Sequence, residues 1–311
     1  MERIVIPGRA THLPVALTDL FVGAPLASRV LLGATAPGQM IAAASFGFYV
    51  SSAARDAWAR RGVRPIDFKK AFGADVDEHE TMPVEARRFE IELLARAMDA
   101  HYTPASRSRP QTAEAVDRAL TDFIAGITGQ EIVTSTAIRS FTLAKIVAPF
   151  AAGSCDPISG DVAIYHDLGL LEPHVIAHEF AHRKGYLKEL HAQVLSYAAL
   201  RSSGDPELVQ AARLERLSRQ IRILQRLEEP MDVAELLHQY IPNDTLREQV
   251  LTLIPSAEEA KSHGLLRSLY DKRMRLTGQN GLSDYDEGFT NVLWTFGRSE
   301  SATVDREAGA I

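Results

Sequence analysis

Apolar residues recur at helical spacing over most of the chain. Within residues 83–102, the apolar residues Phe89, Leu93, Leu94 and Ala97 recur at steps of three or four positions, with charged residues elsewhere. This spacing places them on one face of an α-helix. Further helices are predicted over 112–127 (closed near Gly129), 187–202, 207–228, 232–240, 244–254, 257–276 and 284–296.

The pattern changes in the middle of the chain. Residues 131–141 (EIVTSTAIRSF) are rich in β-branched residues and predict a strand, and residues 143–150 (LAKIVAPF) predict a weaker one. Residues 151–160 (AAGSCDPISG) have the composition of a turn, and residues 161–167 (DVAIYHD) predict a short strand.

A helix is predicted immediately after this strand region. Pro173 is tolerated in the first turn of a helix, and Gly185 offers the left-handed conformation that ends one. Arg183 and Lys184 precede that glycine, and their positive charges interact favourably with the negative end of the helix dipole.

This order of elements predicts an α+β fold: mostly helical, with a small sheet before the helix at 173–185 and a helical C-terminal half. We expect a helical N-terminal region over 1–130, a metal-binding catalytic domain over 131–297 and a loose tail over 298–311.

One uncharged stretch runs from Gly33 to Ala54 and is rich in Ala, Ser and Gly. The leading interpretation is a buried Ala-rich helix. A membrane span and a hairpin on the membrane surface are the two alternatives, since 22 helical residues just cross a bilayer. Basic residues that would suit a cytoplasmic flank follow it: Arg55, Arg60, Arg61, Arg64, Lys69 and Lys70.

Composition narrows the function classes. The chain has 311 residues, a net charge of −6 and no dense basic stripe, which argues against a nucleic-acid partner. Cys155 is the only cysteine, so an intramolecular disulfide and a cysteine-based zinc site are excluded. With no secretory signal at the N-terminus, we expect a cytoplasmic protein, with membrane association through 33–54 as the alternative.

Residues 174–193 (HVIAHEFAHRKGYLKELHAQ) hold the candidate chemistry. His178, Glu179 and His182 form an H-E-x-x-H motif, and residues four apart return to the same helix face. Both imidazoles can then bind one zinc ion, with Glu179 beside them as a general base towards zinc-activated water. The alternative is an ordinary helix face, but the apolar neighbours of the motif predict a buried helix whose ionisable groups need partners.

A third zinc ligand is expected on the next helix. Glu189 and His191 are both close in sequence, but they lie about 200° apart on a helix, so only one of them can face the metal. His191 shares its face with Leu187, Val194 and Leu195, which favours His191 as the third ligand. Glu189 is then either a group that supports the ligands from outside or a solvated surface residue.

Two further histidines lie near the motif. His174 falls one turn before His178 and is expected to be structural. His166, at the end of the short strand, is a weaker ligand candidate.

The motif and its surroundings resemble the zincin metallopeptidases. A closer likeness is to an uncharacterised bacterial family of membrane-anchored, zincin-like proteins with P-F-T-G-E-A, H-E-x-A-H-x-x-G and E-x-E-A-N segments. The matching pieces here are DPISGDVAIY (156–165), AHEFAHRKGY (177–186) and KELHAQVLSY (188–197), and LYDKRMRLTGQNGLSDYDEGF (269–289) resembles the family's C-terminal pattern. The likeness spans roughly 131–297.

The resemblance implies further roles. The family's third ligand falls where His191 stands, so this chain has His in place of Glu, and Ser159 and Asp161 replace Thr and Glu of the turn segment. Tyr285 is the implied oxyanion stabiliser, with Tyr165 second. The strand over 161–166 is the implied edge for pairing with an extended peptide.

The function expected is a zinc-dependent hydrolase, most simply a peptidase acting on a peptide or protein. The alternatives are a metal-dependent amidase or tailoring enzyme on a small molecule, and a non-catalytic protein with structural zinc. Three histidines also suit manganese, cobalt or iron, and the sequence does not predict an oligomeric state.

Overall fold

A computed structural model describes residues 1–8, 17–139, 151–156, 159–227, 232–254, 268, 271–272, 274–276 and 278–308. These residues are mostly helical with small pairs of strands, which confirms the α+β class. The predicted strand at 143–150 and most of the predicted helix at 257–276 lie outside the described residues.

The helices lie close to their predicted ranges, but the predicted apolar face of α4 is wrong: Phe89 and Leu93 are exposed, whereas Ile91, Ala95 and Met98 are buried. Their bounds are α1 Leu17–Leu32, α2 Ala36–Arg60, α3 Phe68–Phe72, α4 Val84–Ala100, α5 Arg109–Thr128, α6 Glu172–Arg183, α7 Glu189–Ser202, α8 Pro206–Leu227, α9 Val233–Tyr240, α10 Asp244–Thr252 and α11 Glu287–Ala308. Short 3₁₀ helices cover Gly169–Leu171 and Leu282–Tyr285. Helix α11 continues to Ala308, where a loose tail was expected from residue 298.

The strands form two pairs. Strand β1 (Glu2–Val5) runs parallel to β2 (Gln130–Val133), with Ile4 opposite Ile132. Strand β3 (Gly153–Cys155) runs antiparallel to β4 (Val162–Ile164).

Three strand predictions can be compared with these pairs. The strand expected over 161–167 is confirmed as β4, whereas only the start of the strand expected over 131–141 is formed, as part of β2. The turn expected over 151–160 contains β3 instead, because Gly153 can pack where a Cβ atom would lie 2.9 Å from the Ala163 carbonyl oxygen.

The chain divides into two compact units that interleave along the sequence. The first comprises Met1–Pro65, Arg107–Leu168 and Val175–Leu187, and the second comprises Ile66–Ser106, Gly169–His174 and Lys188–Ile311. A consecutive division at residue 130 was expected. Parallel pairing of β1 with β2 places the N-terminus in the same unit as residues 130–133.

Helices α1 and α2 form a hairpin in the first unit. The Phe21 ring packs on Phe46 and Tyr49, at centroid distances of 5.3 and 4.8 Å. The uncharged stretch 33–54 is helical from Ala36, but the expectation of a buried helix is wrong for most of its length. The buried residues of α2 are Gly38, Ser52, Ala53 and Asp56. Absence of charge therefore did not indicate burial here.

Several large apolar side chains of the hairpin face solvent. Val30 and Leu31 are 83% and 79% exposed, and Leu26, Met40 and Phe46 are each more than half exposed. Over the part of the chain that the structure describes, the helices all fall short of the length and apolarity that a membrane crossing requires.

A network of buried charges holds α8 in the second unit. Arg219 donates to Glu215 (2.7 Å) and to Asp286 (2.9 Å), and Arg226 also donates to Asp286 (2.7 Å). Burial alone would raise the pKa of Glu215, but the positive charge of Arg219 outweighs burial and lowers the pKa from 4.5 to about 2. The pKa of Asp286 is lowered for the same reason.

We predict that this network makes the fold sensitive to acid. A carboxyl group whose pKa is lower in the folded state stabilises the fold above its unfolded pKa, and this stabilisation is lost as the pH falls through the folded pKa. For Glu215 the loss runs from about pH 4.5 to about pH 2 and amounts to about 3 kcal/mol. Urea unfolding at a series of pH values measures it.

The Glu215→Gln variant should be less stable at pH 7 and should lose less stability between pH 4.5 and 2. Glu248→Gln, which removes an exposed charge from α10, should keep the wild-type pH dependence. An unchanged pH dependence in Glu215→Gln would contradict the assignment.

Candidate metal centre

Helix α6 (Glu172–Arg183) carries the H-E-x-x-H motif in a buried setting. Ile176, Ala177, Phe180 and Ala181 are fully buried, as the apolar neighbours of the motif predicted. Apart from Glu172 and Val175, every residue of the helix is buried. The imidazoles and the carboxylate of the motif are therefore shielded from water and need polar partners.

The turn after α6 depends on Gly185, as predicted. Its φ of +110° lies in the left-handed region, which residues with a Cβ atom rarely adopt. The Tyr186 N–H donates to the Ala181 carbonyl (3.1 Å) and the Gly185 N–H to the His182 carbonyl (3.0 Å). These two bonds form a Schellman motif, which ends the helix and reverses the chain towards α7.

His178 and His182 meet at their Nε2 atoms. The two nitrogens lie 3.2 Å apart. The other ring nitrogen of His182, Nδ1, lies 2.9 Å from the Tyr186 carbonyl oxygen. Because a carbonyl can only accept, Nδ1 carries the proton and Nε2 of His182 presents its lone pair towards His178.

This separation fits a shared metal ion. A tetrahedral zinc ion bound about 2.0–2.1 Å from each nitrogen would hold the two nitrogens about 3.3 Å apart. Two neutral imidazoles with facing Nε2 atoms share at most one hydrogen bond. A divalent cation would use both lone pairs, and so the donor geometry suits a metal.

Glu189, the first residue of α7, completes the group. One carboxylate oxygen of Glu189 and one nitrogen each from His178 and His182 all lie within 4.8 Å of one another. The three residues fall within twelve consecutive positions that include the Gly185 turn. Two imidazoles and one carboxylate are a common donor set of catalytic zinc sites, which leave a further position for water or substrate.

The structure places His191 away from this group. Its ring packs against Phe68, with a centroid distance of 4.8 Å, and lines a separate pocket with Asp77 and Asp284. Burial lowers the pKa of His191, helped by the charge of Lys188. The ligand position predicted for His191 therefore corresponds to Glu189 in this arrangement.

The reason is the burial of α7 on almost every side. Its buried residues occupy all faces of the helix: Leu190, Ala192, Gln193, Val194, Leu195, Ser196, Tyr197, Ala199 and Leu200. An apolar face could therefore not distinguish the side of His191 from the side of Glu189. The more useful sequence signal was the short turn at Gly185. Because few residues follow this turn before α7 begins, the first residue of that helix is the one that lies close to His178 and His182.

Glu179 is buried next to His178 in the sequence, with 6% of its surface exposed. Its charge contributes, after burial, to raising the pKa of the Cys155 thiol on β3. The thiol is therefore protonated at neutral pH.

The two outlying histidines have other surroundings. His174 is buried, and its Nε2 lies 3.1 Å from Gln193 Oε1 and 3.8 Å from Glu215 Oε1. His174 does not belong to the group of His178, His182 and Glu189. His166 is exposed, and its backbone carbonyl accepts from Arg109 (3.0 Å).

The two candidate tyrosines also differ. Tyr165 is buried, and its hydroxyl donates to Ser154 Oγ across the β3–β4 pair (2.7 Å). Tyr285 ends the second 3₁₀ helix half-buried, with the Arg219 guanidinium 5.7 Å from its ring centre. Its oxyanion role stays a prediction.

Two basic residues at the end of α6 have a role that the sequence did not predict. Lys184 is fully buried and donates to the Ile132 carbonyl (2.9 Å) and to Thr121 (2.8 Å), and it pairs with Asp117 at 2.6 Å. These contacts fix the end of α6 to β2 and α5. The sequence indicated only that two positive charges stand at the negative end of the helix.

Arg183 anchors the same end of α6 to the backbone of two other segments. It donates to the carbonyls of Gly160 (2.7 Å), Ser135 (2.5 Å) and Ala137 (2.8 Å). Because three carbonyl groups surround it, the guanidinium acts as a buried cross-link.

Strand β4 is not a free edge at its centre. Ala163 pairs with Ser154 of β3 on one side and forms a parallel bridge with Arg139 on the other. A peptide could not add to β4 at Ala163 without displacing one of them. Among the described residues, β3 pairs with β4 and with no other strand.

Comparison with known proteins gives one partial match. No curated protein and no solved structure matches the chain. Residues 146–292, which include α6, the Gly185 turn and α7, match a family model described as "Protein of unknown function (DUF3810)".

Proposed function

We propose that the protein is a zinc-dependent hydrolase, and most simply a peptidase. The observation that supports this proposal best is the convergence of His178 and His182 at 3.2 Å, with Glu189 completing the donor set. Glu179 lies next to His178 on the same buried helix, which is the position of a general base in an H-E-x-x-H motif.

His178, His182 and Glu189 would hold the metal. When bound, zinc would supply Lewis acidity, which makes water more acidic and polarises a carbonyl group. The Nδ1 bond of His182 to the Tyr186 carbonyl supports the ligand role, since it fixes the tautomer and the ring orientation.

Glu179 would move the proton. Its carboxylate accepts a proton from the attacking water and returns it to the leaving amine of a peptide. The burial of Glu179 favours this role because a shielded carboxylate has a stronger electrostatic effect on the reacting groups. Tyr285 stays the proposed hydrogen-bond donor to the oxyanion.

A zincin-like arrangement is part of the proposal. The order of β3, β4, the motif helix and a second helix with a carboxylate ligand supports it. We propose β3 as the strand that an extended peptide substrate joins, because β4 already has a neighbour on each side at Ala163.

The metal content of purified variants tests the ligand set. We expect about one zinc ion per wild-type chain, and loss of most of it in His178→Ala and in Glu189→Gln. Changes to residues that hydrogen-bond the ligands typically weaken metal binding about 10–100-fold, and removal of a direct ligand should weaken zinc binding by more than that. His191→Ala should keep its zinc. Mass spectrometry and a chelator competition measure both quantities.

Glu179→Gln and His166→Ala serve as controls. Glu179→Gln should keep the metal and lose about 100-fold or more of any peptidase activity, since it removes the base. His166→Ala changes an exposed side chain and should keep both the zinc ion and the activity. Zinc loss in His191→Ala but not in Glu189→Gln would contradict the ligand assignment. Equal activity of wild type and Glu179→Gln would favour a structural zinc.

A change in the turn at Gly185 should lower both the free energy of unfolding and the affinity for zinc. Gly185→Ala forces a side chain into the left-handed region and should cost about 1–2 kcal/mol. Because space beside Gly185 is adequate (the nearest atoms of Val63 would be 3.6 Å from a Cβ), the cost is conformational. The relaxed turn should also shift Glu189 and lower zinc affinity.

Gly204→Ala is the matched control. Gly204 also has a positive φ, +71°, with nothing within 4 Å of a Cβ atom, and it follows α7 instead of α6. It should show a similar loss of stability without a loss of zinc affinity. Equal zinc affinity in the two variants would contradict the coupling.

We further propose that the α1–α2 hairpin lies on a membrane surface. Its exposed apolar side chains include Val30 and Leu31, and the described side chains from Phe21 to Ala54 carry one charge, Arg29. Trp58 and Arg61 follow at the base, with the guanidinium 4.8 Å from the indole ring. This combination suits the boundary between acyl chains and anionic headgroups.

Co-sedimentation with vesicles tests this placement. We expect binding to phosphatidylcholine vesicles that contain phosphatidylserine. Leu31→Glu should partition about ten-fold more weakly, since it replaces an exposed leucine that would insert among the acyl chains with a charge. The control is Leu93→Glu on α4, where the leucine is also exposed. Equal binding of both variants would contradict the proposal.

A further inference from the structure

The pocket that contains His191 belongs wholly to the second unit. It has a volume of about 180 Å³ and is lined by Asp77, Lys188, Leu190, His191, Gly278, Gln279, Asn280 and Asp284. Leu190 is the one large apolar residue among them. Such a lining favours a charged or strongly polar guest.

Asp284 supplies a buried negative charge to the wall. Its side chain is 3% exposed, and it accepts hydrogen bonds from the Asn280 backbone N–H (3.1 Å) and side-chain amide (3.0 Å). In the part of the chain that the structure describes, no Lys or Arg forms an ion pair with it. The charge of Arg275, which pairs with Asp271 (2.8 Å), also acts on Asp284. A buried carboxylate whose hydrogen bonds come from amides would still gain from a directly bound cation.

Asp77 places a second carboxylate at the mouth. Its pair with Lys188 at 3.6 Å is largely exposed, so that pair is weak and a guest can compete for it. Among the charged residues that line the pocket, the two carboxylates of Asp77 and Asp284 outnumber the one ammonium group of Lys188.

The spacing of the lining residues and the size of the pocket further restrict which ligand can bind there. Among the described residues, the donor atoms of His178, His182 and Glu189 lie close enough together to hold a metal ion, whereas those of His191, Asp77 and Asp284 do not. A longer organic cation can reach both carboxylates. A cavity of 180 Å³ is below the roughly 300–1,000 Å³ of small-molecule sites, so it suits one side chain.

The pocket is attached to the proposed metal ligand through α7. The Glu189 backbone N–H donates to Gln279 Oε1 (2.8 Å), which ties the loop 278–281 to the first residue of that helix. Leu190 and His191, which line the pocket, directly follow Glu189. A guest in the pocket would therefore lie next to the first turn of α7.

We propose that this pocket binds the guanidinium or ammonium group of a basic side chain in the peptide substrate. Asp284 pairs with the cation at the base, and Asp77 attracts it at the mouth. The inference rests on the proposed hydrolase function, because it names the substrate class of that site.

Binding of an arginine probe tests the pocket without any cleavage. N-acetyl-arginine methylamide should bind to the intact protein, and N-acetyl-citrulline methylamide, its neutral isostere, should bind about ten-fold more weakly. Isothermal titration calorimetry, with and without a zinc chelator, measures both.

Two variants should change the affinity in opposite directions. Asp77→Asn removes an attracting charge and should weaken arginine binding about three-fold, while Lys188→Gln removes a competing cation and should strengthen it about three-fold. Asp284→Asn should abolish the preference over citrulline; its thermal midpoint must be checked because Asp284 also holds Asn280. Glu78→Gln, an exposed charge beside Asp77, should leave the affinity unchanged.

The outcomes separate the two proposals. Peptide hydrolysis without preference for arginine over citrulline, and equal binding of both probes, would overturn the pocket and leave the hydrolase. Charge-dependent binding of the arginine probe by a zinc-loaded protein that hydrolyses no peptide would overturn the hydrolase and retain the cation pocket. Equal effects of Asp77→Asn and Glu78→Gln would also overturn the pocket.

Discussion

The reversal of the chain at Gly185 is the constraint on which the candidate metal centre depends. The left-handed residue ends α6 one turn after His182, and the Tyr186 carbonyl accepts from the Nδ1 of that same histidine. One short turn therefore both ends α6 and fixes the tautomer of a proposed ligand. The carboxylate of Glu189 falls within reach because so few residues separate it from the turn. Buried Lys184 and Arg183 keep the end of the helix in place.

Much of this region could be predicted from the sequence because its signals are local. The 3.6-residue period, the proline at the start and the glycine at the end predict α6 without knowledge of the rest of the fold. The H-E-x-x-H spacing likewise predicts two converging imidazoles. The third member of the group, Glu189, could not be predicted in the same way. The choice between Glu189 and His191 rested on which face of α7 is covered, and that helix is covered on nearly all faces.

The parts of the fold that the sequence did not predict depend on partners distant in sequence. Strand β1 has four residues and gains its stability from β2, more than a hundred residues later. The Ala-rich stretch at 36–54 is helical, but whether it is buried depends on the surfaces that the rest of the chain offers. The short β3 lies in a segment whose Gly, Asp and Pro content predicts a turn, and the pairing with β4 overrides that local preference.

The pairing of β1 with β2 has a consequence for synthesis on the ribosome. The first unit is assembled from three segments, and the last ends at Leu187. The N-terminal strand emerges first but cannot pair until residues 130–133 have also left the exit tunnel. At about 5–20 residues per second, that delay is about 6–26 seconds. During this interval the apolar hairpin is already outside the tunnel, so a nascent chain of this protein exposes apolar surface well before its first unit can close.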